Sequence, residues 1–144
     1  MKKEYDLNRF IVAQDNLYPL ALIEIKSGKK ETHWIWFVFP QLKKLSEDEA
    51  SEYFGIEDIE EAKAYLAESV LRERLVEISE ALLSLETDDP LEVMNSEIDV
   101  RKLQSSMTLF AEIEGNDSVF GKVINKYYDG IKDMDTLRFL YDEI

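Results

Sequence analysis

The chain lacks cysteine altogether, which removes disulfides, thiolate metal sites and a cysteine nucleophile in one step. It has one histidine, too few for a histidine-based metal cluster, and no metal or cofactor is expected. Five glycines and three prolines exclude collagen-like and low-complexity classes. No apolar run reaches 18 residues, so no membrane partner is expected. Behind Met1-Lys2-Lys3, the charges of Glu4, Asp6 and Arg9 interrupt any apolar stretch, and no signal peptide is expected. These features together predict a cytoplasmic setting. Positive charge is also scarce. Lys and Arg total 17 against 31 Asp and Glu, a net charge of −14 that repels phosphate backbones and argues against a nucleic-acid partner. Neither a Walker loop nor a GxGxxG turn is present.

What the chain does have is enough apolar material for a real core: 45% hydrophobic residues in 144, the size of one domain. Its charge is uneven. Residues 1–45 hold eight basic and five acidic residues, and the remaining 99 hold nine basic and 26 acidic. The first third therefore offers a basic rim that could meet an anionic ligand.

The hydrophobic period is helical. Leu71, Leu75, Ile78, Leu82 and Leu85 form one stripe; Val100, Leu103, Met107 and Phe110 form another. Boundary residues agree. Ser46 with Glu49 reads as a capping box, Asp58 with Glu61 as an acidic cap, and Asp89-Pro90 as a cap followed by proline at the first helical position. Gly28, Gly55, Gly115 and Gly130 follow helical patterns, where a left-handed residue ends a helix. The expected helices are 6–14, 17–27, 47–54, 58–67, 69–86, 90–95, 97–114, 118–129 and 134–143. The expected fold is a single all-α domain, residues 1–144, of stacked antiparallel helices.

Residues 32–41, Thr32-His33-Trp34-Ile35-Trp36-Phe37-Val38-Phe39-Pro40-Gln41, hold both tryptophans and the histidine. The segment fits either a short strand or an irregular helical turn. It could anchor the core or, with indole N–H groups, His33 and Gln41 as polar handles, wall a pocket. His33 is the candidate general acid or base. Gln14 lies where the first apolar stripe would turn inward, so it must clamp a neighbouring backbone or face a pocket. Arg9, Lys29 and Lys30 are candidates to meet ligand charge. Ser105, Ser106 and Thr108 put three hydroxyls inside a strong helix, which packing or a polar cleft must explain. Each block breaks the local rule of its element, so at least one of these hydroxyls is expected within direct or one-water reach of His33, Gln14, Trp34 or Trp36.

Phe10-x-x-Ala13-Gln14, Gly28-Lys29-Lys30, His33-Trp34-x-Trp36-Phe37-x-Phe39-Pro40-Gln41 and Leu103-x-Ser105-Ser106-Met107-Thr108-Leu109-Phe110 closely resemble the bacterial domain-of-unknown-function 1810 family. The resemblance spans about residues 5–141. It implies a compact all-helical domain with armadillo-like stacking and supplies no activity. Gln104 stands where the resemblance leads one to expect arginine. Two functions follow as expectations. One is a binding or interaction module for a protein or small-molecule ligand, with its pocket beside His33, Trp34, Trp36 and Gln41. The other is an enzyme acting on a small anionic or nucleotide-like metabolite. They separate on whether His33 and Gln14 converge on an open cavity.

Overall fold

The computed structural model describes residues 5–141. Among them are nine α-helices and no β-strand: α1 Asn8–Lys26, α2 Ile35–Val38, α3 Glu49–Tyr53, α4 Ile59–Ala67, α5 Ser69–Ser84, α6 Pro90–Met94, α7 Glu97–Glu114, α8 Val119–Tyr128 and α9 Met134–Tyr141. The expected ends of the last helix, Asp142 and Glu143, fall outside the described residues.

The polar boundary residues act largely as their types predict. Asp58 accepts the Glu61 N–H at 2.9 Å and Asp89 accepts the Leu91 N–H at 3.0 Å, with Pro90 behind it. The Ser46 capping box does not form. Asp48 caps α3 through the Ser51 N–H, while Ser46 closes the 3₁₀ turn Lys43–Leu45 by donating to Lys43 O. A carboxylate beside the first-turn amides is the stronger acceptor and displaces the hydroxyl by two residues.

Two helices expected at 6–14 and 17–27 are one, Asn8–Lys26, with Pro19 inside it. Phe10, Gln14, Tyr18, Ala21 and Ile25 make an unbroken buried stripe through the supposed gap. That stripe packs on α5, and Arg74 of α5 binds Asp15 at 2.8 Å. Burial along the whole length outweighs one missing N–H on a solvent-facing turn.

The core is layered. α5 lies against α1 on one side and α8 on the other, and α8 packs on α7. Ring contacts, edge-on at the first pair and tilted at the others, carry an aromatic chain through the middle, from Phe10 to Tyr65 (5.1 Å between ring centroids), Phe110 (5.4 Å) and Phe120 (5.7 Å). Lys126 of α8 reaches three terminal carbonyls of the α5 end: Leu82 O at 3.1 Å, Leu83 O at 3.0 Å and Leu85 O. A cation there satisfies acceptors that the helix itself leaves open.

The aromatic segment is a helical turn, α2, wedged between α1 and α7. Trp34, Ile35, Phe37, Val38 and Phe39 are buried. After it, the chain makes one parallel bridge between Leu42 and Ile56, with Lys43 N donating to Ile56 O at 2.7 Å. Gly55 holds this crossing close for a reason other than left-handed φ: a Cβ there would stand 2.5 Å from Lys43 Cα.

Candidate functional site

The residues proposed from sequence divide into three groups: those sealed in the fold, those left on its surface, and those lining one groove. Gln14 is sealed, at 1% exposure. Its amide donates to Phe37 O at 2.6 Å and to the Tyr65 hydroxyl at 3.0 Å, and its oxygen faces Arg74 at 3.4 Å. It clamps α2 to α1 and lies in no cavity. Arg9 is spent in the same manner. It donates to Tyr53 O at 2.9 Å, Gly55 O at 2.8 Å, Glu61 at 3.0 Å and Asp6 O, tying α1 to the α3–α4 connection. Its donors are largely committed to protein acceptors, and it lines a separate depression of about 250 Å³ with Lys43, Glu52 and Tyr53, away from His33.

Lys30 is buried too. Its ammonium lies 2.9 Å from Asp99, donates to Thr32 O at 2.6 Å and sits 5.1 Å from the Trp34 ring centroid. Its backbone N–H bonds Val93 O, so the residue locks the loop after α1 to α6 and α7. Trp34 is wholly buried with its indole N–H on Glu24 at 2.9 Å, and belongs to the core rather than a pocket wall. The acceptor here, Glu24, is a residue that sequence reasoning passed over. Its carboxylate also takes the Glu31 N–H at 2.8 Å, the Thr32 N–H at 3.1 Å and the Thr32 hydroxyl at 2.8 Å. Burial alone would raise its pKa, but these hydrogen bonds overcome that and hold it at about 2. A signal was available: Glu24 falls three residues after Ala21 on a helix face otherwise turned inward.

Lys29 and His33 remain exposed on the surface. His33 lies 6.3 Å from Trp36 between ring centroids and does not share a cavity with Gln14. The α7 hydroxyls also have separate roles. Ser105 donates to Arg101 O at 3.0 Å, and Thr108 accepts the Asp133 N–H at 2.9 Å, which fastens the start of α9. Ser106 is fully buried and its hydroxyl has no partner. Of the direct or one-water reach expected to His33, Gln14, Trp34 or Trp36, no direct hydrogen bond forms: Ser105 bonds within α7, Thr108 bonds towards α9, and Ser106 bonds none of the four. Gln104 donates to Ile131 O at 2.9 Å, again joining α7 to the approach to α9.

What does converge is a groove along the first half of α7. One depression of about 180 Å³ is lined by Gln41, Asp48, Ile98, Arg101, Ser105 and Asp133, among others. A second, of about 280 Å³, lies beside Lys30, His33, Trp36, Asn95, Ser96 and Asp99. Lys102, Ile98 and Asp48 line both. Lys102 bridges the α3 cap: its ammonium donates to Ser51 at 2.9 Å, lies 3.9 Å from Asp48, and stands 5.3 Å from the Trp36 ring centroid. Ile98 is an exposed hydrophobic residue on the same wall. The amide of Ser51, with Lys102 contributing, holds the Asp48 carboxyl below its ordinary range. Between these walls a small recess of about 10 Å³ is bounded by Trp36, Phe39, Gln41, Ser51, Phe54 and Lys102. The Trp36 indole N–H is buried with no partner, a condition that costs on the order of 1–3 kcal/mol. Lys102 was missed from sequence, although Arg101-Lys102 is a basic pair in an acidic stretch and lies one turn before Ser105 and Ser106. A wider groove of about 610 Å³ beside Leu7, Ala64 and Ala67 is mostly apolar and contains none of the residues proposed from sequence.

Fold and groove define an all-helical domain with a polar cleft along α7. The chain belongs to the family described as protein of unknown function DUF1810, whose model matches residues 4–140. It is similar to the conserved hypothetical protein Rv1873 from Mycobacterium tuberculosis. The crystal structure of that protein superposes with a TM-score of 0.90, at 38% identity over 94% of this chain and 96% of that one. No curated protein matches the chain. No helix among the described residues is long and apolar enough to cross a membrane.

Proposed function

We propose that this protein is a binding module whose ligand lies along the α7 groove, with Trp36, Gln41, Lys102 and Ser105 as contacts and His33 at the rim. The observation that carries this reading is that one cation, Lys102, forms a shared wall of two adjoining depressions, with an exposed Ile98 beside it. An apolar contact flanked by a cation and by the carboxylates of Asp48 and Asp133 suits a ligand with both apolar and polar parts, such as a short peptide segment or an amino-acid-like metabolite. Stacked helical pairs of the armadillo kind commonly present grooves of this sort, an analogy that adds to the reading without carrying it. The enzymatic alternative has less support, because Gln14, one of the two glutamines meant to orient substrate, is sealed away from His33, although Gln41 and Lys30 do line the groove.

The test is a thermal-shift screen of the full chain against peptide and metabolite libraries, repeated with Lys102→Glu. A ligand at 100 times its Kd adds about 2.7 kcal/mol of stability, which shifts Tm by several degrees for a domain of this size. The expected hits disappear in K102E and survive substitution of the remote Lys63. Hits indifferent to K102E would place the ligand elsewhere and overturn the assignment.

A further inference from the structure

We infer that the small space behind Trp36 is a single-oxygen subsite of the groove, built to take a carboxylate oxygen. The inference rests on the groove reading for where such a ligand comes from, but not for the chemistry of the space itself. Three observations point to it. First, the Trp36 N–H is a buried donor with no partner, whereas the neighbouring Trp34 N–H is hydrogen-bonded. Buried donors are nearly always satisfied, so an orphan beside a cavity asks for an acceptor from outside the chain. Second, the space is about 10 Å³, room for one water-sized atom and not for a larger group. Third, its polar boundary is Trp36, Gln41, Ser51 and Lys102, with the aromatic rings of Phe39 and Phe54 closing it. Those side chains carry an indole N–H, an amide N–H and an ammonium as donors, beside the oxygens of Gln41 and of Ser51, the latter already engaged by Lys102.

No acidic residue lines the space. In a chain of net charge −14, whose groove rim carries Asp48, Glu47, Asp133 and Asp135, this is a selective arrangement. The inner end, faced by Lys102 with a side chain only 14% exposed, favours an oxygen that carries partial or full negative charge. Lys102 already donates to Ser51, and an ammonium has further donors to give. A ligand oxygen seated there reproduces the hydrogen bonds that a water molecule would otherwise make with these donors. A carboxylate gains most, because it meets the ammonium and the indole together.

The probe is formate, the smallest carboxylate, titrated into the full-length protein against sodium chloride at equal ionic strength. The readout is the indole N–H resonance of each tryptophan in a proton–nitrogen correlation spectrum. Trp34 serves as an internal control, since its N–H is held by Glu24. Formate should move the Trp36 resonance saturably and leave Trp34 in place, and chloride should move neither. Lys102→Gln should weaken the response roughly tenfold or more, as expected for loss of a charge-assisted bond. Gln41→Leu gives a second variant that leaves the Lys102 contacts intact, and it should also weaken the response. A Trp36 resonance indifferent to formate, or shifted equally by chloride, or as responsive in both variants as in the wild type, would overturn the subsite. If formate fails while a ligand from the thermal screen still depends on Lys102, the subsite falls and the groove reading stands. If formate binds as described but the screen finds nothing, the subsite stands and the groove reading falls.

Discussion

Trp34 and Trp36 are two residues apart, at one helical turn, and meet opposite fates. Trp34 is fully buried, with Lys30 beside its ring and its N–H on the Glu24 carboxylate. Trp36 is half-buried, with Lys102 beside its ring and its N–H unpartnered. Each indole therefore has a lysine neighbour, and the difference lies in the acceptor. Where the fold supplies a carboxylate, the polar groups close on one another and the region becomes structure. Where no acceptor reaches the indole, as at Trp36, the region is left needing an oxygen. Hydrogen-bond satisfaction of the indole N–H separates these two tryptophans.

The largest effect should come from breaking the satisfied side. Glu24→Ala leaves the Trp34 indole and two backbone N–H groups without their acceptor. Stability should fall by roughly 3–5 kcal/mol, read as a lower urea midpoint at unchanged slope. A protein that tolerates this change within about 1 kcal/mol would remove the distinction between the two tryptophans.

The same carboxylate sets a pH dependence of somewhat smaller size. Its pKa is about 2 in the fold against an ordinary 4.5, a depressed value. Glu24 therefore contributes stability that is fully present above about pH 4.5 and is lost as pH falls towards 2. The contribution is about 3 kcal/mol, since a tenfold change in proton affinity corresponds to about 1.4 kcal/mol. The difference in unfolding free energy between the wild type and Glu24→Gln should shrink across this window as the solution is acidified. A difference constant with pH would show that the carboxylate is not held as described.

The smallest and sharpest comparison is between Trp34→Phe and Trp36→Phe. The first creates a void and strands part of the Glu24 carboxylate, and should cost about 2–4 kcal/mol. The second removes an orphan donor from a half-buried ring and should change stability by less than about 1 kcal/mol. Equal losses in chemical denaturation would erase the contrast.

Much of the helical layout was legible in the sequence. The stripe Leu71, Leu75, Ile78, Leu82 and the caps Asp58 and Asp89 are local signals that survive into the fold, whereas the Ser46 capping box gave way to Asp48. The break expected near Asp15 was not observed, because residues that end helices in isolation were overruled by an inward stripe that α5 covers. The site was less legible. His33, Trp36, Gln41 and Ser105 were named and do line the groove, as does Lys30 from its ion pair with Asp99, whereas Gln14, Arg9 and Trp34 were named for the same polarity and are bonded into the scaffold. Residue type told both groups apart from the background without telling them from each other. Lys102 and Glu24, which decide the matter, looked like ordinary charges on a wet helix face.

By itself, then, the sequence determined an all-helical chain without thiol chemistry, and a set of polar residues that its own elements could not satisfy. Periodicity and capping depend on neighbours within a turn or two, so one dimension suffices to read them. Tertiary structure decided which polar residue met a partner. Glu24 reaches Trp34 because the loop after α1 folds back on it, and Lys102 reaches Trp36 because α7 packs beside α2. A hydrogen bond is a matter of a few ångströms between groups that lie ten to sixty residues apart in this chain, and only packing sets that distance.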